Sequence, residues 1–133
     1  MYSVTKRIDF CYGHRLLDYD GVCKHPHGHN AKVEIEVRTG SLDNRNMVCD
    51  FSDIKRIVKG WIDSALDHKM LLRHDDPLVK LLQDLGEPVF ICESNPTVEH
   101  IAQLIYRHAS TEGLAVVRVR VWETPTSYAE YGE

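Results

Sequence analysis

Two adjoining stretches decide the fold: Cys23-Lys24-His25-Pro26-His27-Gly28-His29-Asn30 and Ala31-Lys32-Val33-Glu34-Ile35-Glu36-Val37-Arg38. Apolar and charged residues alternate in the second stretch, which predicts a β-strand with one buried face. In an extended chain residues i and i+2 project from the same face, so His27 and His29 lie side by side where this strand begins. Two imidazoles on one face can hold one metal ion, and His14 is the nearest candidate for a third ligand.

The residues of the first stretch are compatible with two kinds of metal site. Three neutral imidazole nitrogens with a vacant fourth position describe a catalytic zinc site. Cys23 as an additional ligand would instead close the site, as in structural zinc centres. A solvated His-rich loop without metal is the third interpretation. The spacing favours a metal role and does not decide between catalytic and structural zinc.

Length and composition predict a single domain, residues 1–133, in a cytosolic protein. The 133 residues are 43% hydrophobic and 27% charged, as in ordinary globular proteins. The net charge of −4 excludes a basic surface for nucleic acid. The apolar runs are too short to span a bilayer, and the first seven residues show no apolar signal region. The four cysteines form no C-x-x-C pair, which indicates reduced thiols.

Elsewhere the sequence predicts a strand, two longer helices and one short helix. Residues 2–10 alternate loosely and predict a first strand, followed by an irregular segment at 11–30. Apolar residues at helical spacing predict a helix that begins near Ile54 and ends within Leu66–Leu72. Another helix is expected between Asn95 and Gly113. A short helix begins at Asp75-Asp76-Pro77.

The last part of the chain predicts further extended structure. Val89–Cys92 is expected to be a short extended piece. Leu114–Glu123 is expected to be a strand with Val117, Val119 and Val121 on one face, and Ser127–Tyr131 to pair back after a turn. Two strands, helices and two more strands predict an α+β sandwich of an antiparallel sheet and a helical layer.

Four further side chains could carry chemistry. A cation beside Cys23 would favour its thiolate, which suits a general base or a nucleophile. Asp67 could set the tautomer of His68, although a histidine favoured by a helix C-terminus is the better interpretation of this pair from sequence alone. Glu123 could accept two hydrogen bonds from a guanidine-like base edge, although most such residues are solvated strand ends. The other three cysteines are expected to be small buried residues: Cys11, Cys49 and Cys92.

Six landmarks resemble, in order and over nearly the whole chain, the 6-pyruvoyltetrahydropterin synthase / 6-carboxytetrahydropterin synthase (QueD) family. They are Phe10-x-x-x-His14-Arg15-Leu16, Cys23-x-x-x-His27-Gly28-His29-Asn30, Val48-x-Asp50-Phe51-x-x-Ile54-Lys55, Leu66-Asp67-His68, Pro96-Thr97-x-Glu99 and Glu123-Thr124. The resemblance implies the tunnelling fold, an antiparallel four-stranded sheet with two long helices packed on one face in ββααββ order. It also implies a homohexamer of two stacked trimers with active sites at subunit interfaces.

The resemblance further implies roles for individual residues. Cys23 is the expected catalytic thiolate, and Asp67 with His68 is the expected partner dyad from a neighbouring subunit. Glu123 is expected to anchor the 2-amino and N3 edge of the pterin. The backbone of Thr97 and Val98 is expected to contact the pterin ring. The implied zinc ligands are His14, His27 and His29.

The implied activity is that of a zinc-dependent carbon–carbon lyase of the pterin synthase type. The three-residue gap between Cys23 and His27 resembles the bacterial QueD type. The expected reaction converts 7,8-dihydroneopterin triphosphate to 6-carboxytetrahydropterin, acetaldehyde and triphosphate in queuosine synthesis. A 6-pyruvoyltetrahydropterin synthase and a non-catalytic zinc or pterin-binding module are the alternatives. Departures at Cys11-Tyr12 and His25-Pro26 leave substrate preference open, and Arg15 and Lys69 are candidates for the triphosphate.

Overall fold

A computed structural model describes all 133 residues. The regular elements, in chain order, are β1 (Tyr2–His14), β2 (His27–Thr39), α1 (Phe51–Ile54), α2 (Gly60–Ala65), β3 (Met70–Arg73), α3 (Leu78–Asp84), β4 (Val89–Cys92), α4 (Val98–Thr111), β5 (Val116–Thr124) and β6 (Ser127–Gly132). A 3-10 turn (Val22–Lys24) interrupts the β1–β2 loop, and a π-helical turn (Lys55–Lys59) joins α1 to α2. None of the helices combines the length and apolar character that crossing a bilayer requires.

The strands form one mixed six-stranded sheet in the order β4-β3-β1-β2-β5-β6. The α+β class is confirmed, and β1, β2, β5 and β6 are the four expected antiparallel strands. The expected limit of four strands in ββααββ order is wrong. Two four-residue strands, β3 and β4, extend the sheet in parallel beyond β1. The short extended piece expected at Val89–Cys92 is confirmed as β4. The apolar run of β3 is too short for periodicity to identify it as a strand.

The first long helix ends earlier than Leu66–Leu72. The Asp67 N–H still donates to the Ile62 carbonyl, but His68 then adopts a left-handed conformation with φ of 58°. This conformation turns the chain out of the helix and back to the sheet, where His68 N–H donates to the Cys11 carbonyl over 2.8 Å. The residues expected to finish the helix therefore begin β3.

The β1–β2 hairpin is longer than expected, because Cys11–His14 and His27–Asn30 are strand rather than irregular segment. The register pairs Tyr12 with His29 and His14 with His27. Only residues 15–26 form the connecting loop. The chemically interesting residues of both ends thus stand on paired strands.

The core lies between one face of the sheet and the helices. Ile54, Val58, Ile62 and Leu66 recur every four residues, and none is exposed to solvent. Four residues of α-helix advance by about 40° more than one turn, so such a stripe would drift around the rod. The wider π-helical turn between α1 and α2 offsets this drift and keeps the stripe on the sheet.

One detail of β5 differs from the expected alternation. Val116, Val119 and Val121 are buried, whereas Val117 is not. The register shifts between Glu36 and Val37, which pair with Arg118 and Val116. Val117 is therefore the extra residue of a β-bulge, which moves the first buried side chain of the strand by one position.

Truncating a side chain of the buried helical stripe should lower the stability of the protein. Ile62→Ala leaves a cavity in a fully buried site and should lower the free energy of unfolding by about 2–5 kcal/mol. Urea titration followed by circular dichroism measures this loss. Leu81→Ala on α3 is the matched control, because Leu81 is 57% exposed and its truncation should cost within about 0.5 kcal/mol. Equal losses in the two variants would contradict the assigned core.

Candidate functional site: a histidine cluster and a thiol–imidazole–carboxylate group

The hairpin register brings three histidines together. His14 faces His27 across the strand pair, and His29 stands two residues further along β2 on the same face. One ring nitrogen of each residue lies within 4.8 Å of the others. His14 is 2% exposed, whereas the other two are partly accessible. These residues form a candidate metal site.

Backbone carbonyls determine which nitrogens of the cluster are free. His14 Nδ1 lies 2.7 Å from the Pro96 carbonyl oxygen, and His27 Nδ1 lies 2.7 Å from that of His25. A carbonyl only accepts, so both Nδ1 atoms carry the proton and both Nε2 atoms hold a lone pair when the rings are neutral. These two Nε2 atoms stand 3.0 Å apart. Two facing lone pairs repel unless a cation or a proton lies between them.

Burial disfavours a proton as the group that separates the two Nε2 atoms. Desolvation lowers the pKa of His14 below its usual value, and repulsion from His27 and His29 lowers it further against the opposing effects of Pro96 and Glu123. Desolvation likewise lowers the pKa of His29, although Glu123 opposes the shift. Protonation of His14 and His29 is therefore disfavoured, which leaves a cation as the better partner for the facing lone pairs.

Glu123, near the end of β5, completes the cluster. Its Oε1 lies 3.0 Å from His29 Nε2 and 3.4 Å from His14 Nε2. A tetrahedral ion bound at 2.0–2.1 Å holds its ligand atoms about 3.3–3.4 Å apart. The observed separations are close to this value. Although Glu123 Oε1 is close, buried His29 Nε2 has no partner in hydrogen-bonding geometry, so the residues present fit a tetrahedral cation.

The protonation of the cluster predicts a pH dependence for the metal-free protein. The folded-state pKa values of His14 and His29 lie below the 6.5 of an unperturbed histidine. As pH falls below 6.5, the unfolded chain takes up protons before the folded chain does, so stability declines. The melting temperature of the metal-free protein should therefore fall between pH 6.5 and about 5, above the range where carboxylates protonate.

Two variants test this assignment. His29→Gln should flatten the decline in melting temperature, because one depressed imidazole is removed. His74→Gln is the control, since His74 is an exposed residue outside the cluster. A decline that survives His29→Gln unchanged would place its cause elsewhere.

The second group of side chains lies where β1 meets β3. His68 Nδ1 is 2.7 Å from Asp67 Oδ2, and His68 Nε2 is 3.5 Å from Cys11 Sγ. The Cys11 N–H donates to Asp67 Oδ1 over 3.0 Å. Burial of Asp67 opposes ionisation, but the hydrogen bonds from Cys11 and His68 lower the pKa of the carboxyl below its usual value. Within one chain, the dyad is therefore paired with Cys11 and not with Cys23.

The expectation that Cys11 is a small buried residue is wrong. Tyr12 and His14 point into the core, so the alternation of β1 puts the side chain of Cys11 on the opposite face, where it is half-buried. That placement could have been deduced from the first strand, had β1 been extended beyond Phe10. Cys92 is buried, as expected, whereas Cys49 is half-buried, so the expectation is wrong for Cys49 as well.

Cys23 stands apart from both groups in the single chain. It lies in the 3-10 turn Val22–Lys24 and is half-buried. Its carbonyl accepts a hydrogen bond from Leu16 N–H over 2.9 Å, which ties this turn to the start of the loop. Its thiol makes no hydrogen bond to Asp67 or His68 of the same chain.

Thr97 and Val98 begin α4 beside the cluster. Thr97 Oγ1 accepts from His100 N–H over 3.2 Å and caps the helix. Val98 packs at the margin of the core. The preceding residue, Pro96, supplies the carbonyl that orients His14. This orienting contact joins residues 82 positions apart in the sequence and carried no signal of its own.

The two candidates for a phosphate contact differ in availability. Arg15 Nε donates to Asp76 Oδ2 over 2.7 Å, and a second guanidinium nitrogen binds the other oxygen of this buried carboxylate. Arg15 is therefore occupied by a structural ion pair. Lys69 instead lines an open cavity of about 610 Å³, together with Cys11, His68, His27 and His29. Each of the two groups thus contributes two side chains to the wall of one cavity.

An α+β fold with a histidine cluster on a β-hairpin and an acid–base dyad beside it defines a class of candidate metal-dependent enzymes. The comparison with known proteins narrows this class: the family model described as 6-pyruvoyl tetrahydropterin synthase matches residues 3–133. The chain belongs to this family.

Individual relatives agree with that membership. A 6-carboxy-5,6,7,8-tetrahydropterin synthase of Haemophilus influenzae is 36% identical over the full length of both chains. One of Aquifex aeolicus is 35% identical and covers 99% of this chain and 98% of its own. A crystal structure of an uncharacterized protein of Wolinella succinogenes superposes with a TM-score of 0.84 at 28% identity, covering 99% of this chain and 98% of that one.

Proposed function

We propose that this protein is a zinc-dependent 6-carboxy-5,6,7,8-tetrahydropterin synthase. The substrate is 7,8-dihydroneopterin triphosphate, and the products are 6-carboxytetrahydropterin, acetaldehyde and triphosphate, which places the enzyme in the synthesis of 7-deazaguanine and queuosine. The relatives that carry this name support the activity. The observation that carries the metal is the approach of the His14 and His27 Nε2 lone pairs to 3.0 Å with His29 beside them, which a bound cation would satisfy.

His14, His27 and His29 would hold the zinc ion. When bound, zinc supplies Lewis-acid polarisation of substrate oxygens, which makes the neighbouring protons more acidic. The carbonyls of Pro96 and His25 fix the ring orientations of His14 and His27 through their Nδ1–H groups. The chain thereby presents its ligand nitrogens in a fixed arrangement before the substrate arrives.

Cys23 and the dyad move protons in this proposal. Cys23 accepts a proton from the substrate side chain as a thiolate, and His68 returns one. Asp67 holds the ring so that its Nε2 faces the cavity, because its Oδ2 accepts from Nδ1. Since Cys23 makes no hydrogen bond to this dyad in the single chain, we infer that a neighbouring subunit brings the two together. The assembly is a cytoplasmic homohexamer of two trimers, and its mass is measurable by light scattering.

The pterin would lie between Glu123 and the start of α4. Glu123 is proposed to accept hydrogen bonds from the 2-amino and N3 edge, and the backbone of Thr97 and Val98 to contact the ring. Oε1 of Glu123 is near the histidines, so the anchoring role competes with one at the metal. The two roles make different predictions when this carboxylate is removed.

Glu123→Ala should weaken binding of a bare pterin by about 10- to 100-fold, because a doubly accepting, charge-assisted pair is lost. Calorimetric titration of the zinc-loaded protein with the pterin measures this change. Glu130→Ala, which removes another β-sheet carboxylate outside the cluster, is the matched control. Unchanged pterin affinity with lower zinc content would assign Glu123 to the metal instead.

A product assay tests the proposed activity. Zinc-loaded protein is incubated with 7,8-dihydroneopterin triphosphate, and the products are identified by mass spectrometry. We expect 6-carboxytetrahydropterin and acetaldehyde. A pyruvoyl pterin would move the chain to the branch that eliminates triphosphate without cleaving a carbon–carbon bond. Absence of turnover at full zinc occupancy would favour a binding module or another substrate.

A further inference from the structure

Cys11 itself has no part in the histidine cluster or in the proposed role of Cys23, yet in the single chain it is the thiol that contacts the Asp67–His68 dyad. Its thiol faces His68 Nε2 at 3.5 Å, and the other ring nitrogen faces Asp67 at 2.7 Å. All three side chains belong to one subunit, so the arrangement requires no partner. It has the order of the thiol, imidazole and carboxylate that activates nucleophiles in other enzymes.

The positions of the protons follow from the partners. An ionised carboxylate only accepts, so His68 Nδ1 carries the proton that points at Asp67. Nε2 of the neutral ring then holds a lone pair, and the Cys11 thiol is the donor across the 3.5 Å contact. Transfer of this proton gives a thiolate next to an imidazolium that Asp67 stabilises.

Backbone hydrogen bonds at the N–H and at the carbonyl of Cys11 hold this group in place. Cys11 N–H donates to Asp67 Oδ1 over 3.0 Å, and the Cys11 carbonyl accepts from His68 N–H over 2.8 Å. His68 has a left-handed φ of 58°, which is uncommon for a residue with a side chain. In this conformation the His68 backbone and ring both contact Cys11.

In the single chain the Cys11 thiol borders two openings that a small molecule can enter. Cys11 lines a groove of about 420 Å³ with Asp67, His68 and Lys32 on the face of the sheet opposite His14. It also borders the cavity of about 610 Å³ that contains Lys69. Lys32 in the groove is paired with Asp9 over 3.7 Å, so Lys69 is the cation of the two openings that has no such carboxylate partner.

We propose that Cys11 is a second reactive thiol of this protein, a nucleophile that His68 deprotonates and that adds to small carbon electrophiles such as aldehydes. The sulfur forms a bond to the carbonyl carbon, the C=O π electrons move to oxygen, and that oxygen takes the proton held by His68. The product is a hemithioacetal, and no further reactant is needed. The acetaldehyde of the proposed reaction belongs to this class of electrophile, and only this last link rests on the proposed function.

Alkylation rates of the individual cysteines test the proposal without any pterin. The zinc-loaded full chain is treated with limiting iodoacetamide, and each cysteine is quantified in peptides by mass spectrometry. The thiolate displaces iodide from carbon, and the thiol proton passes to His68 and then to water. Cys11 should react about tenfold or more faster than Cys49. Burial raises the pKa of the Cys49 thiol, and that of Cys92 to about 12, so both serve as internal references.

Two variants separate activation from mere exposure. His68→Gln and Asp67→Asn should each slow alkylation of Cys11 by about tenfold and leave Cys49 unchanged. Circular dichroism verifies that each variant is folded, and Cys11→Ser identifies the Cys11 peptide by its loss.

Three outcomes would overturn the proposal: a rate at Cys11 no faster than at Cys49, a rate indifferent to both variants, or a slowing confined to Cys23. The last would show that the dyad serves only the thiol of a neighbouring subunit. Because turnover is never measured, failure of the proposed enzymatic activity and failure of this proposal are separate results.

Discussion

Replacing His27 by alanine should remove the bound metal and the enzymatic activity together. His27 contributes one of the two lone pairs that meet at 3.0 Å, and its Nδ1 is already used by the carbonyl of His25. Without this ring the cluster keeps two imidazoles, and the affinity for zinc should fall by at least about 100-fold. Plasma mass spectrometry of the dialysed protein should find almost no zinc, and the product assay no turnover.

His25→Ala provides a control two residues away. This variant also removes one imidazole from the loop, but it retains the backbone carbonyl that orients His27. It should keep the metal and most of the activity. If His27→Ala retained full zinc occupancy, the histidine cluster would not be the metal site.

Replacing Cys23 by alanine should abolish turnover and leave zinc in place. In the proposed mechanism Cys23 moves a proton and does not bind metal, so the rate should fall by about 10²- to 10⁴-fold at unchanged metal content. Cys49→Ala removes a thiol remote from both groups and should be nearly silent. Loss of zinc from the Cys23 variant would instead support the closed, structural type of site.

Mixed oligomers test where Cys23 finds its dyad. Cys23→Ala and His68→Ala subunits are each expected to be inactive when assembled alone. If an active site combines Cys23 of one subunit with His68 of the next, co-expression of the two variants should restore part of the activity. Absence of any recovery in verified mixed oligomers would contradict a shared site.

The sequence predicted the parts of the fold that have a clear period. The alternation after Asn30 predicted β2 and its buried face. The apolar residues at helical spacing after Ile54 predicted the long helix. The extension of β1 to His14 was missed because Tyr12-Gly13-His14 lacks an apolar alternation. The strand β3 was missed because four apolar residues can belong equally to a helix end or a strand. The extended piece expected at Val89–Cys92 is confirmed as β4, but its parallel pairing with β3 was not predicted.

The candidate site was predictable in its residues and less so in its contacts. His14, His27 and His29 were named from spacing and from the family resemblance, and the structure brings their nitrogens together. The contact of His68 with Cys11 depends on the parallel pairing of β3 with β1, which the sequence did not reveal. Glu123 was likewise not expected among the histidines, because its position depends on the pairing of β5 with β2, which the sequence also did not reveal.

The register of β1 against β2 determines which face of the sheet carries each group of reactive side chains. His14 and Cys11 belong to opposite faces of one strand, so a one-residue slip or an inserted residue within the pair would turn each set toward the wrong side of the sheet. Evolutionary length changes should therefore accumulate in the part of the loop before Cys23 and be excluded from the paired segments. That part is free to vary in size and shape, while the side chains on the two faces of the strand pair keep a fixed position relative to each other.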